Sequence, residues 1–228
     1  MERMHLHMLK EQNVAGIIYV SGSLLQEEQR LNIPVVFIDH KPASGALKGI
    51  SLVESDNRQG SQLAVSSLYS KGCQRIACLS HEDPLSKHEV RYNAYQEALE
   101  TLALPVKEAW NLKVPLATYD EARRAISESL AEGLDVDALY CTSGWLAIGA
   151  MDALIEAGVR VPEEVSVIGY DDVSITRFRN LPLTAIQEDV EKMGHSAVSI
   201  LMSMLEDPQT QSRHKVIPVQ LIERATTK

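Results

Sequence analysis

Cysteine is scarce: Cys73, Cys78 and Cys141 are the only three in 228 residues. An odd count with no Cys-x-x-Cys spacing excludes a complete disulfide framework and a cysteine-built metal centre, and fits a reducing cytoplasm. Basic residues are outnumbered, 22 Lys plus Arg against 31 Asp plus Glu, for a formal net charge of −9. That balance argues against a bare nucleic-acid-binding surface, which needs clustered cations, but leaves room for a part of a larger DNA-binding protein. No apolar run approaches the roughly 18 residues of a membrane span. Met1-Glu2-Arg3 leads into no signal-peptide core. Catalytic signatures are missing as well. The seven histidines show no His-Glu-x-x-His, and the one close pair, His5-x-His7, stands beside the N-terminus. No glycine-rich phosphate loop is found, and Ser143-Gly144 lacks the flanking glycines of a nucleophile elbow. The expectation is a non-enzyme with no cofactor and no metal.

What is present is a globular composition, 45% hydrophobic, with length for one large domain or two small ones. Short β-branched runs recur at residues 16–20, 34–38, 50–53, 75–79, 138–141 and 165–168. They are nearly continuous rather than alternating, as strands buried on both faces are. Between them lie segments with helical spacing. Leu63, Ala64 and Leu68 give one face, Ala94, Tyr95, Ala98, Leu99 and Leu102 a second, and Ala122, Ala125, Ile126 and Leu130 a third. Leu146, Ala147, Ala150 and Leu154 follow, and Val190, Met193, Ala197, Ile200, Leu201 and Met204 make the clearest stripe. Gly72, Gly133 and Gly158 close three of these segments, where a helix stop belongs. Such alternation predicts an α/β fold of mostly parallel sheets flanked by helices. The start fits badly, since the helical pattern around Met4, Met8 and Leu9 has no strand before it.

Several stretches, in order along nearly the whole chain, resemble the LacI/GalR family of bacterial transcription regulators. They are Val14 to Ile18, Ile33-Pro34-Val35-Val36-Phe37-Ile38-Asp39, Ser55-Asp56-Asn57-Arg58-Gln59-Gly60, and Gly72 to Ile76. The most specific runs from Val161-Pro162 through Ser166-Val167-Ile168-Gly169-Tyr170-Asp171-Asp172, with Leu181-Pro182-Leu183-Thr184 after it. Val219 to Thr226 fits the family's end. Two departures stand out. Nothing matches the family's helix-turn-helix head, nor the first strand, first helix and second strand of its sensor domain. At Thr142-Ser143-Gly144 the family usually carries Asn-Asp.

The resemblance implies a two-lobed, periplasmic-binding-protein-like fold whose first lobe is incomplete at its N-terminus. Carried over, the lobes are residues 1–72 plus 187–217 and residues 73–186 plus 218–228, with crossings near Gly72, Gln187 and Pro218. It implies a sugar or sugar phosphate effector bound between the lobes, and a homodimer that uses Thr176-Arg177-Phe178-Arg179. Operator DNA would be reached only through an absent N-terminal head. The place would be the cytoplasm, with no membrane partner. A sugar-binding receptor of a transport system is the alternative function.

Five residues are candidates for the ligand site: Arg91, Asp171, Ser143, Gln59 and Glu188. Arg91 lies in a helix's first turn, where a cation opposes the helix dipole and gains nothing locally. The polar run Ser86-Lys87-His88-Glu89 before it suggests a loop-lined cleft. Its five-donor fork suits vicinal hydroxyls or a carboxylate, and the alternative is a surface pair with Glu89 or Glu97. Asp171 follows a parallel strand at the end where ligands bind; capping is the alternative, and Asp172 is expected to take that role. Ser143 reads equally as a helix cap or a ligand contact. Gln59 and Glu188 are weaker carry-overs, at a helix entry and past a crossing. Substituting Arg91 or Asp171 by alanine is expected to cost about 2–4 kcal/mol of ligand binding and little stability. For Asp172 the expectation is about 1 kcal/mol of stability.

Overall fold

The computed structural model describes residues 4, 8–9, 11–20, 33–39, 51–83, 86–172, 182–207 and 209–228. The expected dimer segment at Thr176 to Arg179, and His5, His7 and His40, lie outside the described residues. In chain order the elements are β1 (Ile17–Tyr19), β2 (Val35–Ile38), β3 (Ser51–Ser55), α1 (Asn57–Ser70), β4 (Ile76–His81), α2 (Lys87–Thr101), β5 (Asn111–Val114) and α3 (Tyr119–Ala131). Then come β6 (Ala138–Cys141), α4 (Gly144–Glu156), β7 (Ser166–Tyr170), β8 (Thr184–Gln187), α5 (Val190–Glu206), β9 (His214–Ile217) and β10 (Gln220–Ile222).

The chain divides into two compact units, Met1–Asp56 with Asp189–Pro218, and Asn57–Glu188 with Val219–Lys228. In the first unit the strands lie parallel in the order β1-β2-β3-β9. Successive residues face opposite ways, so Val35 and Phe37 join one apolar cluster with Ile17 and Leu52. Val36 and Val53 join the other, beneath Met193, Ala197 and Ile200 of α5. Both faces of β2 are covered, which is why its sequence reads as an unbroken apolar run.

The second unit holds the order β10-β8-β7-β6-β4-β5, all parallel except the β10–β8 pair. The same two-residue period splits its core. Ile76, Cys78, Tyr140, Ile168 and Tyr170 face the cluster with Leu68 of α1 and Tyr95 and Leu99 of α2. Ala77, Leu79, Leu139, Cys141 and Val167 face Ala122 and Ile126 of α3 and Leu146, Ala150 and Leu154 of α4. Oxygens of Thr118, Ser143 and Asp189 accept backbone N–H bonds that start α3, α4 and α5. Gly133 and Gly158 sit at φ +89° and +80°, the left-handed backbone that ends α3 and α4.

The first unit boundary corrects the sequence reading. Helix α1 belongs to the second unit, so the chain passes over at Asp56/Asn57 and not near Gly72. The reason is packing: Ala64, Val65 and Leu68 are buried among Tyr95, Leu99, Ile186 and Val219. The other two passages fall at Glu188/Asp189 and Pro218/Val219.

Candidate functional site

Strands β6, β7 and β8 are parallel neighbours, so the residues just past their carboxyl ends gather at one edge of the sheet. Those residues are Thr142, Asp171 and Glu188, and Arg91 reaches them as the fifth residue of α2, just past the first turn expected from sequence. The Arg91 side chain is 0% exposed. Its Nε donates to Asn57 Oδ1 at 2.7 Å, and Nη1 donates to the Thr142 carbonyl at 2.9 Å and to Asp171 Oδ2 at 3.4 Å. Nη2 donates to Asp171 Oδ1 at 3.1 Å and to Glu188 Oε1 at 2.9 Å. Five bonds match the five N–H groups of a guanidinium. The plane lies over the Tyr170 ring, 3.4 Å from its centroid. Gly60 of α1 meets the other end of that tyrosine, since a Cβ there would run into Tyr170 Oη.

This arrangement is electrostatically closed. Burial works against the charge of Arg91, but Asp171, then Tyr170 and Glu188, outweigh it and hold the guanidinium pKa above the ordinary arginine value. Burial likewise works against the Asp171 carboxylate, but Arg91 and then Lys87 outweigh it and hold its pKa below the usual range. Lys87 Nζ stands 3.9 Å from Asp171 Oδ1 and 4.0 Å from Glu188 Oε1. Two cations and two carboxylates therefore meet here. Asp171 adopts φ +66°, a left-handed backbone that costs a non-glycine residue about 1 kcal/mol or more and that clusters at functional sites.

Arg91, Asp171 and Glu188 lie together in this cluster. The expectation that Arg91 offers its fork to a loop-lined cleft is corrected: the side chain is fully buried and each N–H is engaged. Nor does it pair with Glu89 or Glu97, whose cations are Lys113 and Arg58. Ser143 takes the cap, its Oγ accepting from Leu146 N at 3.2 Å. Gln59 Oε1 accepts from Val219 N at 3.0 Å and so fixes the chain where it re-enters this unit. The segment that Asp172 is expected to cap lies outside the described residues. The Asp172 carboxylate, 1% exposed, receives Arg224 Nη1 and Nη2 at 2.8 Å each, with Gln187 Nε2 at 3.2 Å.

Sequence reasoning missed Asn57, Thr142, Lys87 and His88 as parts of the site. His88 Nδ1 lies 2.9 Å from Thr142 Oγ1. Burial first, and Arg91 second, push its pKa down to about 3. A histidine held neutral when folded binds fewer protons than its unfolded form between pH 6.5 and about 3. Stability is therefore full above that window and falls as pH falls, by about 1.4 kcal/mol per unit from this group. Melting curves at pH 7 and pH 4.5 should show His88→Gln losing less stability on acidification than the parent; an equal loss would remove His88 from the account.

A separate cavity of about 440 Å³, bordered by Lys107, Trp110, Asn111 and Leu134, shares no residue with this cluster. Among the described residues no group of three metal-ligating side chains occurs, and no helix is long and apolar enough to cross a membrane.

Comparison with known proteins agrees with the geometry. The family model described as a periplasmic binding protein-like domain matches residues 65–227. The HTH-type transcriptional repressor PurR of Vibrio cholerae serotype O1 (strain M66-2) is 29% identical over 232 residues, covering 100% of this chain and 68% of the repressor. The ribose operon repressor of Halalkalibacterium halodurans is 29% identical over 229 residues, 100% of this chain and 66% of that protein. This chain thus spans about two thirds of the length of such relatives. The solved transcriptional regulator CelR–cellobiose complex superposes with a TM-score of 0.88 at 27% identity, covering 99% of this chain and 69% of the other. The chain belongs to the periplasmic binding protein-like domain family, and within it to the effector domains of LacI/GalR-type transcription regulators.

Proposed function

We propose that this domain binds a small sugar-like effector at the cluster of Arg91, Asp171 and Glu188, and passes its occupancy to a DNA-binding head as part of a dimeric repressor in the cytoplasm. It acts as a binding module and not as an enzyme. The observation that carries the reading is the convergence of Asp171 and Glu188 on one buried guanidinium at the carboxyl edge of the sheet. Carboxylates there accept hydroxyl hydrogen bonds, the chemistry of sugar recognition. The names of relatives support it, a ribose operon repressor and a cellobiose complex among them.

Position gives the cluster a route to regulation. Asn57 is the first residue of the second unit, and Glu188 the last before the chain leaves it. Arg91 bonds to both. An effector that draws on Asp171 and Glu188 therefore acts on the residues where the chain enters and leaves. It shifts the regulator only by its differential affinity for two states.

The test is a thermal-shift screen with D-ribose and cellobiose on the parent and on Asp171→Asn. At least one sugar should raise the parent's melting temperature, and the variant should lose that rise while staying folded. A variant that responds as the parent does would place the site elsewhere.

A further inference from the structure

Asn111 opens β5, the edge strand of the second unit's sheet. It pairs with the middle of β4 at the amino end of β5, whereas the Arg91 cluster lies past the carboxyl ends of the parallel strands. A cavity of about 440 Å³ lies beside it, between the start of β5 and the end of α3. That volume is within the range of small-molecule sites. Trp110, 3% exposed, and the half-buried Leu112 and Leu134 supply apolar lining. Asn111 also lines it, and the Asn111 Oδ1 is buried from water with no hydrogen-bond partner. A buried acceptor left in that state is costly and calls for an explanation. We infer that this cavity is a second ligand site, separate from the effector site, and that it takes a small primary amine carried on an aromatic body.

Charge selects the amine. Glu108, Glu132 and Asp135 stand around the cavity with Lys107. Asp135 has Arg75 at 3.3 Å, and Lys107 Nζ is drawn over the Trp110 ring, 4.6 Å from its centroid. Among the described residues no cation pairs with Glu108 or Glu132. Helix α3 ends here with no basic residue in its last turn and with Glu132 as its cap residue. The negative end of its dipole is therefore reinforced and not offset. An ammonium brings three donors and no acceptor, so it answers the carboxylate, the helix end and the unpaired amide oxygen together. The Asn111 amide meets such a donor by turning about its last side-chain bond, a soft rotation. A carboxylate or phosphate ligand would face like charge on the same groups. The apolar lining adds the second requirement, a hydrophobic body, which an indole and two leucines hold and a bare ammonium ion does not use.

Fluorescence tests this at the cavity itself. Trp110 and Trp145 are the only two tryptophans, and Trp145 is 47% exposed on α4, so Trp145→Phe leaves Trp110 as the sole indole reporter. Phenethylamine titrated into the full chain carrying Trp145→Phe should give a saturable change in Trp110 emission, half-complete below about 1 mM. Phenylacetate, a similar body of opposite charge, should need at least about tenfold more. On the same background Glu132→Gln should weaken the amine at least about threefold. Asn111→Leu should weaken it too, and should raise the melting temperature of the unliganded chain, because the unpaired acceptor is gone. Ser129→Phe, at a cavity-lining position of α3, should abolish the response while the chain still melts cooperatively. No saturable response below about 10 mM, an equal response to phenylacetate, or amine binding left unchanged by Glu132→Gln, Asn111→Leu or a folded Ser129→Phe would each overturn the inference.

Discussion

Replacing Arg91 by alanine should lower the unfolding free energy by about 3–5 kcal/mol, the cost of leaving buried counter-charges without their partner. The variant would strip Asp171 and Glu188 of the buried one of the two cations they share, with only the half-buried Lys87 left, leave Asn57 Oδ1 and the Thr142 carbonyl without this donor, and uncover the Tyr170 ring. Effector binding should vanish as a consequence. From the sequence alone, nearly the whole cost is expected in binding. The structure moves most of it to folding, because the side chain is buried and fully bonded. Urea unfolding reads the difference directly. A loss under about 1 kcal/mol, with binding abolished, would restore the exposed fork expected from sequence.

Asp172→Ala should cost a similar amount, about 3–5 kcal/mol, rather than the roughly 1 kcal/mol of a lost cap. Asp172 and Arg224 form a two-bond ion pair with the carboxylate at 1% exposure, and Arg224 Nη1 also donates to the Leu183 carbonyl at 2.6 Å. That pair fastens the chain's last residues to the sheet, beside Thr226, whose Oγ1 donates to the Val167 carbonyl at 2.7 Å. Arg224→Ala should be milder, since Asp172 keeps Gln187 as a partner. Equal melting temperatures for Asp172→Ala and the parent would show that the pair is not holding the tail. Neutral-sugar affinity should survive Asp172→Ala at temperatures where it stays folded, which separates the two adjacent aspartates by function.

The sequence was legible where burial was strong. Strands β2, β4, β6 and β7 are covered on both faces, so their apolar runs announced them. Strands β5 and β9 gave no such signal. Both are edges of their sheets, and His214, Lys215 and Val216 of β9 are exposed, so nothing in their composition demands a strand. The site was half legible. The Tyr170-Asp171 stretch and Arg91 stood out by their place after a strand and before a helical stripe. Their mutual bonding did not, because sequence spacing says nothing of which donors a fold will spend across 80 residues of separation. Asn57 lay inside a recognised stretch, but its amide oxygen acquires meaning only once α1 packs against α2. The same packing explains the misplaced boundary: α1's apolar stripe is visible in sequence, but which unit it covers is decided by a partner surface.

The most direct measurement is a crystal structure of this chain with the neutral sugar that most raises its melting temperature. The account expects sugar hydroxyls within about 3.2 Å of the Asp171 and Glu188 carboxylate oxygens. A sugar bound away from this cluster would contradict it.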